Sequence, residues 1–326
     1  MELKYHYVIL ASEWDLYKIS YSELKYNPSA DYIGGLPHLF GERIGKTLNS
    51  IAIRTNFPLI GFLIKKYIAR KFKGVHKPLC FIFFGNWVDY DISYDLVGYL
   101  KRRFPCSKVV WFNQDLVVTH NRIMKKIDGI KRKFDLILSF DYSDCNKYNM
   151  LYHPLVFTDV STYFNYKIEN DVYFLGKAKN RLSDIFKAYA FLKAKNLKLD
   201  FNLVGVPLDQ QQYKDDINYI DSMSYEENLH HVASCRCLLE VMQKAGTGYT
   251  LRVNEAICFG KKIITNNTMI REAPFYNPDY ISVFDDRFVF DEDFLSTIHD
   301  DIKVNHHYKE EISPLNFLKF IDERLQ

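Results

Sequence analysis

Two spacings of apolar residues share most of this chain. Short apolar runs of strand length lie at residues 5–11, 79–84, 108–112, 134–139 and 151–157, and again at 172–175, 199–204, 217–221, 238–242, 262–265 and 281–284. Between them lie stretches whose apolar residues recur every three or four positions, as on one face of a helix. In the first half these are 94–103, 120–133 and a short one near 144–149; in the second they are 182–192, 224–233, 250–259, 292–301 and 314–325. Ser224 followed by Glu227 is a capping-box start, and Gly260 is a helix stop. Strand runs that are apolar throughout, separated by helical segments, predict right-handed crossovers and parallel sheets covered on both faces. The predicted class is α/β and doubly wound.

With 326 residues the chain exceeds what one core usually supports, so two domains are expected, 1–158 and 159–326. The polar stretch 158–170 serves as the linker, and the last helix is expected to return to the first domain. Six cysteines without a C-x-x-C pair read as reduced core thiols, not a disulfide frame or zinc site. The N-terminal segment has no signal-peptide pattern and no apolar run reaches membrane-span length, which places the protein in the cytoplasm.

Charge changes the picture of the first half. The net charge of +3 divides into +9 over residues 1–150 and −6 over the remainder. Residues 43–77 hold nine Lys/Arg and no acid, with Ile44, Leu48 and Ile51 at helical spacing and an apolar run at 59–64. That combination predicts docking on an anionic membrane, peripherally on the cytoplasmic face of the inner membrane. No RNA-binding motif accompanies the basic residues, and nucleic acid is not expected as a partner.

The stretch 238–267 concentrates the candidate chemistry. It runs from an apolar strand through a loop with Gly246 and Gly248 into a helix that begins at Thr250, then to a second strand. The first N–H groups of a helix lack internal partners and carry partial positive charge, so they suit a phosphate. The two glycines permit close backbone approach, Thr250 offers a cap, and Arg252 presents a planar fork of donors. Glu255 lies roughly 7.5 Å further along the helix, a reach that suits ribose hydroxyls while a diphosphate sits at the helix start.

Gly246, Gly248, Thr250, Leu251, Arg252, Glu255, Ala256 and the strand 261–266 resemble the nucleotide-binding core of GT-B glycosyltransferases, particularly bacterial capsule and lipopolysaccharide (O-antigen) enzymes. The resemblance extends over roughly residues 135–285. It implies two Rossmann-like doubly wound domains facing a central cleft, with the acceptor bound by the first and the nucleotide-sugar donor by the second. It implies transfer of a sugar, UDP-linked, to a glycan or polyprenyl-linked acceptor, with no cofactor and no metal. Many retaining members place two glutamates eight positions apart; here Thr247 stands where the first would be, so the stereochemistry does not carry over. Lys177 and Arg181, just after the first strand of the second half, join Arg252 as phosphate ligands. Glu13, Asp15, His38 and Glu42 follow the first strand and its glycine loop, and Asp89, Asp91, Asp115 and His38 are alternatives for an acceptor-side base. Asp89-Tyr90-Asp91 also matches the D-x-D manganese pattern of another glycosyltransferase fold. Rival readings are a catalytically silent GT-B partner subunit and a nicotinamide oxidoreductase, though neither half carries G-x-G-x-x-G after its first strand.

Overall fold

The structure, a computed structural model, describes residues 2–243, 246–285, 287–300, 302 and 304–325, with the backbone alone at 53 and 54. The side chain of Arg54, Lys244 and Ala245 of the glycine-spaced loop, and Asp301, the expected end of a helix, lie outside the described residues. The chain divides into two compact units, Met1–Val156 with Ser313–Gln326, and Phe157–Ile312.

The first unit is built on six parallel strands: β1 (His6–Leu10), β2 (Ala30–Ile33), β3 (Leu79–Phe83), β4 (Lys108–Asn113), β5 (Leu136–Ser139) and β6 (Leu151–Tyr152). Their order is β2-β1-β3-β4-β5-β6. Successive strand residues point to opposite faces, and both faces are covered. Val8, Leu10, Phe81 and Phe83 enter one apolar cluster, whereas Tyr7, Ile9, Cys80 and Ile82 enter another on the other side. This explains the unbroken apolar character of β3, all five of whose residues are buried. Phe83→Ala would cost about 3–5 kcal/mol of stability by the usual transfer and cavity terms. The helix Pro314–Arg324 supplies Phe317, Leu318 and Ile321 to the second cluster. Its Asp322 accepts from the Tyr7 hydroxyl at 2.5 Å and from the Lys4 backbone N–H at 2.7 Å, which fixes the C-terminal segment to β1.

Four elements of this unit differ from expectation. The helix expected over 120–133 is two short ones, Asn121–Met124 and Ile127–Lys131. β2 has no counterpart among the expected strands, because its edge position needs only a four-residue, partly buried strand. The segment after β3 is not a loop but the helix Gly85–Tyr94, which buries Trp87, Tyr90 and Tyr94 at helical spacing and ends at Asp95 with φ +48°. The final strand stops at Tyr152, since Pro154 has no N–H to continue the ladder.

The second unit has strands β7 (Asn170–Lys177), β8 (Leu199–Val204), β9 (Ile217–Ile220), β10 (Cys235–Glu240), β11 (Lys262–Thr265) and β12 (Ile281–Val283), all parallel, in the order β12-β11-β10-β7-β8-β9. The order reverses between β7 and β10, and the crevice at the carboxyl ends of such strands is where open α/β sheets bind ligands. Helices Leu182–Ala194, Tyr225–Ser234 and Leu251–Phe259 begin or pack there. Ser224 accepts from the Glu227 N–H as the capping box predicts, and Gly260 takes φ +60° where the last of these helices stops.

Candidate functional site

β10 ends in Glu240, and the chain returns through the glycine-spaced loop to Thr250, the N-cap of the Leu251–Phe259 helix, whose hydroxyl accepts from the Arg252 N–H at 3.3 Å. The same hydroxyl donates to Glu240 Oε1, and Thr265 donates to Glu240 Oε2 at 2.6 Å. Glu240 is 2% exposed, so this carboxylate ties the helix start to the ends of two strands. Sequence reading missed it: a single acid inside an apolar strand run was the only signal. The loop itself is held by Gly246 N–H donating to Gln243 O at 3.0 Å, and by Asn267 donating to Gly248 O at 3.1 Å.

Arg252 turns back across the strand ends. Its Nη1 donates to Leu239 O at 3.2 Å and its Nη2 to Leu175 O at 2.5 Å, and the guanidinium lies 5.3 Å from the Phe174 ring centre. Arg181, the residue before the Leu182–Ala194 helix, donates to Val241 O and Lys177 O. Burial lowers its pKa to about 10, with Arg252 adding repulsion and Glu240 opposing it, so it stays cationic at neutral pH. Lys177 is exposed at the end of β7. Two guanidinium groups therefore meet at the point where the strand order reverses.

Glu255, on the second turn of the helix, is 3% exposed. Its Oε1 accepts from the Tyr225 hydroxyl at 2.8 Å and from Asn228 Nδ2 at 3.0 Å. Burial raises its pKa, while Arg252, Tyr225 and Asn228 pull the other way. Three buried polar atoms here, Glu255 Oε2, Arg252 Nε and Arg181 Nε, have no hydrogen-bond partner among the described residues. Buried groups left unpaired are costly, and a spare acceptor on the same helix as a guanidinium with a spare donor suits a ligand carrying both hydroxyls and anionic oxygens.

In the first unit the strand order reverses between β1 and β3. Just beyond β1, Glu13 Oε1 lies 2.8 Å from His38 Nδ1, and Glu13 Oε2 lies 2.7 Å from Lys18. Burial raises the Glu13 carboxyl, but the hydrogen bonds from Lys18 and His38 outweigh it and hold the group below its ordinary value. Gly34 leaves room for this pair: a Cβ there would fall 1.8 Å from Glu13 Oε1 and displace the carboxylate. His38 and Glu13 are thus brought together, which the sequence did not reveal. Asp15 is exposed, and Glu42 is exposed in an i,i+4 pair with Lys46. Asp115 is exposed after β4 and accepts from the Leu116 N–H.

Asp89 and Asp91 sit on the Gly85–Tyr94 helix, not on a loop after the strand. Asp91 is consumed structurally, accepting from the Val97 N–H at 2.8 Å and from Lys133 at 3.0 Å. Asp89 Oδ1 is buried and pairs with Arg122 at 3.7 Å but has no hydrogen bond among the described residues, and burial raises its pKa against the pull of His120 and Arg122. Among the described residues no group of three or more His, Cys, Asp or Glu is placed to hold a metal ion. Among them, too, no helix is long and apolar enough to cross a membrane.

No family model matches this chain, and no curated protein matches it by sequence. Solved structures do resemble it. An alpha-glucosyltransferase in complex with UDP and a 13-mer DNA containing an HMU base is 10% identical, with a TM-score of 0.61 over 98% of both chains. A UDP-forming alpha,alpha-trehalose-phosphate synthase from Burkholderia xenovorans is 8% identical, with a TM-score of 0.59 over 98% of both chains. Anabaena HepE in complex with UDP is 11% identical, with a TM-score of 0.56 over 98% of this chain and 99% of its own.

These matches correct the exclusion of nucleic acid as a partner, because three of the similar structures are alpha-glucosyltransferase complexes containing DNA. The exclusion rested on a missing RNA-binding motif, yet gripping a phosphate backbone needs only exposed cations. The resemblance and the two parallel six-stranded sheets with helices on their faces together show that this chain has the GT-B fold.

Proposed function

We propose that this protein is a glycosyltransferase that binds a nucleoside-diphosphate sugar, UDP-linked, in its second unit. The carrying observation is the set of buried atoms, unpartnered among the described residues, of Arg252 and Glu255 on the Leu251–Phe259 helix and of Arg181 before the Leu182–Ala194 helix. Glu255 Oε2 accepts from ribose hydroxyls. Arg252 and Arg181, with Lys177 and the N–H groups after Thr250, take the diphosphate and stabilise its negative charge as the sugar leaves, without a metal. UDP bound in several similar structures, and the UDP-forming synthase among them, support the choice of nucleotide.

On the acceptor side, His38 is the base, oriented by Glu13 as a carboxylate orients an imidazole. The resemblance of residues 238–267 to capsule and lipopolysaccharide enzymes supports a glycan or lipid-linked glycan acceptor in bacterial surface polysaccharide synthesis. DNA is the second reading, favoured by the DNA complexes among the similar structures.

A thermal-shift panel of UDP, GDP, CMP and TDP tests the donor assignment, because a ligand of the folded state raises its stability. UDP should give the largest shift, and no shift with any of the four would remove the assignment. Radiolabelled UDP-sugar incubated with lipid-linked glycans or with duplex DNA then separates the two acceptors by where label appears. A nucleotide-binding chain that labels neither and releases no UDP would be a silent partner subunit.

A further inference from the structure

The helices Glu42–Thr55 and Pro58–Lys71 of the first unit display apolar side chains that the core does not use. Ile60, Ile64 and Ile68 are buried against the sheet, as is Ala52. Ile44, Ile51, Phe57, Leu59 and Phe62 are instead 61%, 38%, 50%, 52% and 58% exposed. The run 59–64 is therefore split between core and surface, and only its outward half is free to meet a partner. Ile44 and Ile51 are two helical turns apart, and Leu59 and Phe62 nearly one, so each pair shares a face.

Cations accompany this face. Arg43, Lys65, Lys66, Arg70 and Lys73 have no ion-pair partner among the described residues. Lys66 lies over the Phe62 ring at 5.7 Å, so charge and apolar surface are side by side. Next to them a groove of about 550 Å³ is lined by Phe40, Leu63 and Tyr67 together with Lys66, Arg70 and Lys71. Of these three cations only Lys71 is neutralised, by Asp31 at 2.8 Å.

We infer that this surface docks on an anionic phospholipid bilayer, with Ile44, Ile51, Phe57, Leu59 and Phe62 entering the headgroup boundary and a headgroup phosphate seated in the groove between Lys66 and Arg70. Exposed aliphatic and phenyl groups beside unpaired cations suit a medium that is apolar below and anionic above. A phosphate backbone in water would engage the cations and leave the five apolar groups solvated. A second copy of the same face would set the unpaired cations against each other.

Flotation with vesicles of phosphatidylglycerol and phosphatidylcholine, against phosphatidylcholine alone, tests the inference on the full chain. The chain should float only with the anionic vesicles, and less at high salt. A variant with Lys65→Gln, Lys66→Gln and Arg70→Gln should bind roughly a hundredfold more weakly, from about fivefold per charge near the surface. Ile51→Ser with Phe62→Ser alters only exposed side chains and should also lose binding, while the UDP thermal shift stays as in the wild type. Absence of flotation on anionic vesicles overturns the inference. So does unchanged flotation of the Ser variant, or displacement from vesicles by short duplex DNA that the Ser variant still binds, which would mark a nucleic-acid surface.

Discussion

The Tyr225 hydroxyl donates to Oε1 of Glu255 at 2.8 Å, leaving the other carboxylate oxygen buried and unpaired. This relationship sets a carboxylate that can accept from a ligand in a site that penalises its charge when the ligand is absent. Burial raises the Glu255 pKa, with Arg252 the first of the opposing influences. A carboxyl raised in the folded state contributes stability below its ordinary value, and that contribution is lost as pH rises through the raised value. Glu255→Gln cannot ionise and escapes the loss. Without nucleotide, the variant's melting temperature should gain on the wild type as pH rises from acid toward neutral, and a difference that does not change with pH would contradict this.

Arg252 already holds two strand ends through the Leu239 and Leu175 carbonyls, and the proposed function gives it the diphosphate as well. Arg252→Ala should weaken UDP binding by about 1.5–3 kcal/mol, as expected for loss of a charge-assisted hydrogen bond. It should also lower the melting temperature, because the carbonyls of Leu175 and Leu239 lose their donor. Arg252→Lys should not restore both, since an ammonium lacks the fork that spans two strand ends. Titration calorimetry and thermal melts on the two variants check this, and UDP affinity unchanged in Arg252→Ala would remove the phosphate role.

Local signals carried much of the fold. Ser224, Thr250 and Gly260 lie at the helix boundaries their chemistry predicts, and the strands 199–204 and 262–265 coincide with their apolar runs. Elements without such a signal were not legible: β2 is short and partly buried, and Gly85-Asn86 looks like a turn although Trp87, Tyr90 and Tyr94 anchor a helix. Arg252 and Glu255 were legible as residue types at a helix start. Their partners were not, because Leu175 is 77 residues from Arg252 and Tyr225 is 30 from Glu255. Glu240 escaped because its partners meet it only in the fold, Thr250 where the loop brings back the helix start and Thr265 on the neighbouring strand.

The His38–Glu13 pair should govern transfer without governing donor binding. His38→Ala should lower the transfer rate by about 10²–10⁴, the usual range for a lost general base, with UDP affinity unchanged. Gly34→Ala should reproduce part of that loss by pushing the Glu13 carboxylate off His38. Steady-state rates alongside UDP titrations check both, and full activity in His38→Ala would transfer the search for a base to Asp89.

Turnover should persist in EDTA, because the account gives the diphosphate to Arg181, Arg252 and a helix start. Asp91 is already held by Val97 and Lys133. Asp91→Asn should therefore lower stability more than donor use. Strict dependence on added manganese would return Asp89 and Asp91 to the site.

The most direct test of the central claim is a calorimetric cycle of UDP and 2′-deoxy-UDP against the wild type and Glu255→Gln. If Glu255 Oε2 accepts from the ribose, the substitution should weaken UDP by about 1.5–3 kcal/mol and the deoxy nucleotide by distinctly less, since that ligand has already lost one donor. Equal losses for both nucleotides, or UDP affinity unaffected by the substitution, would contradict the account.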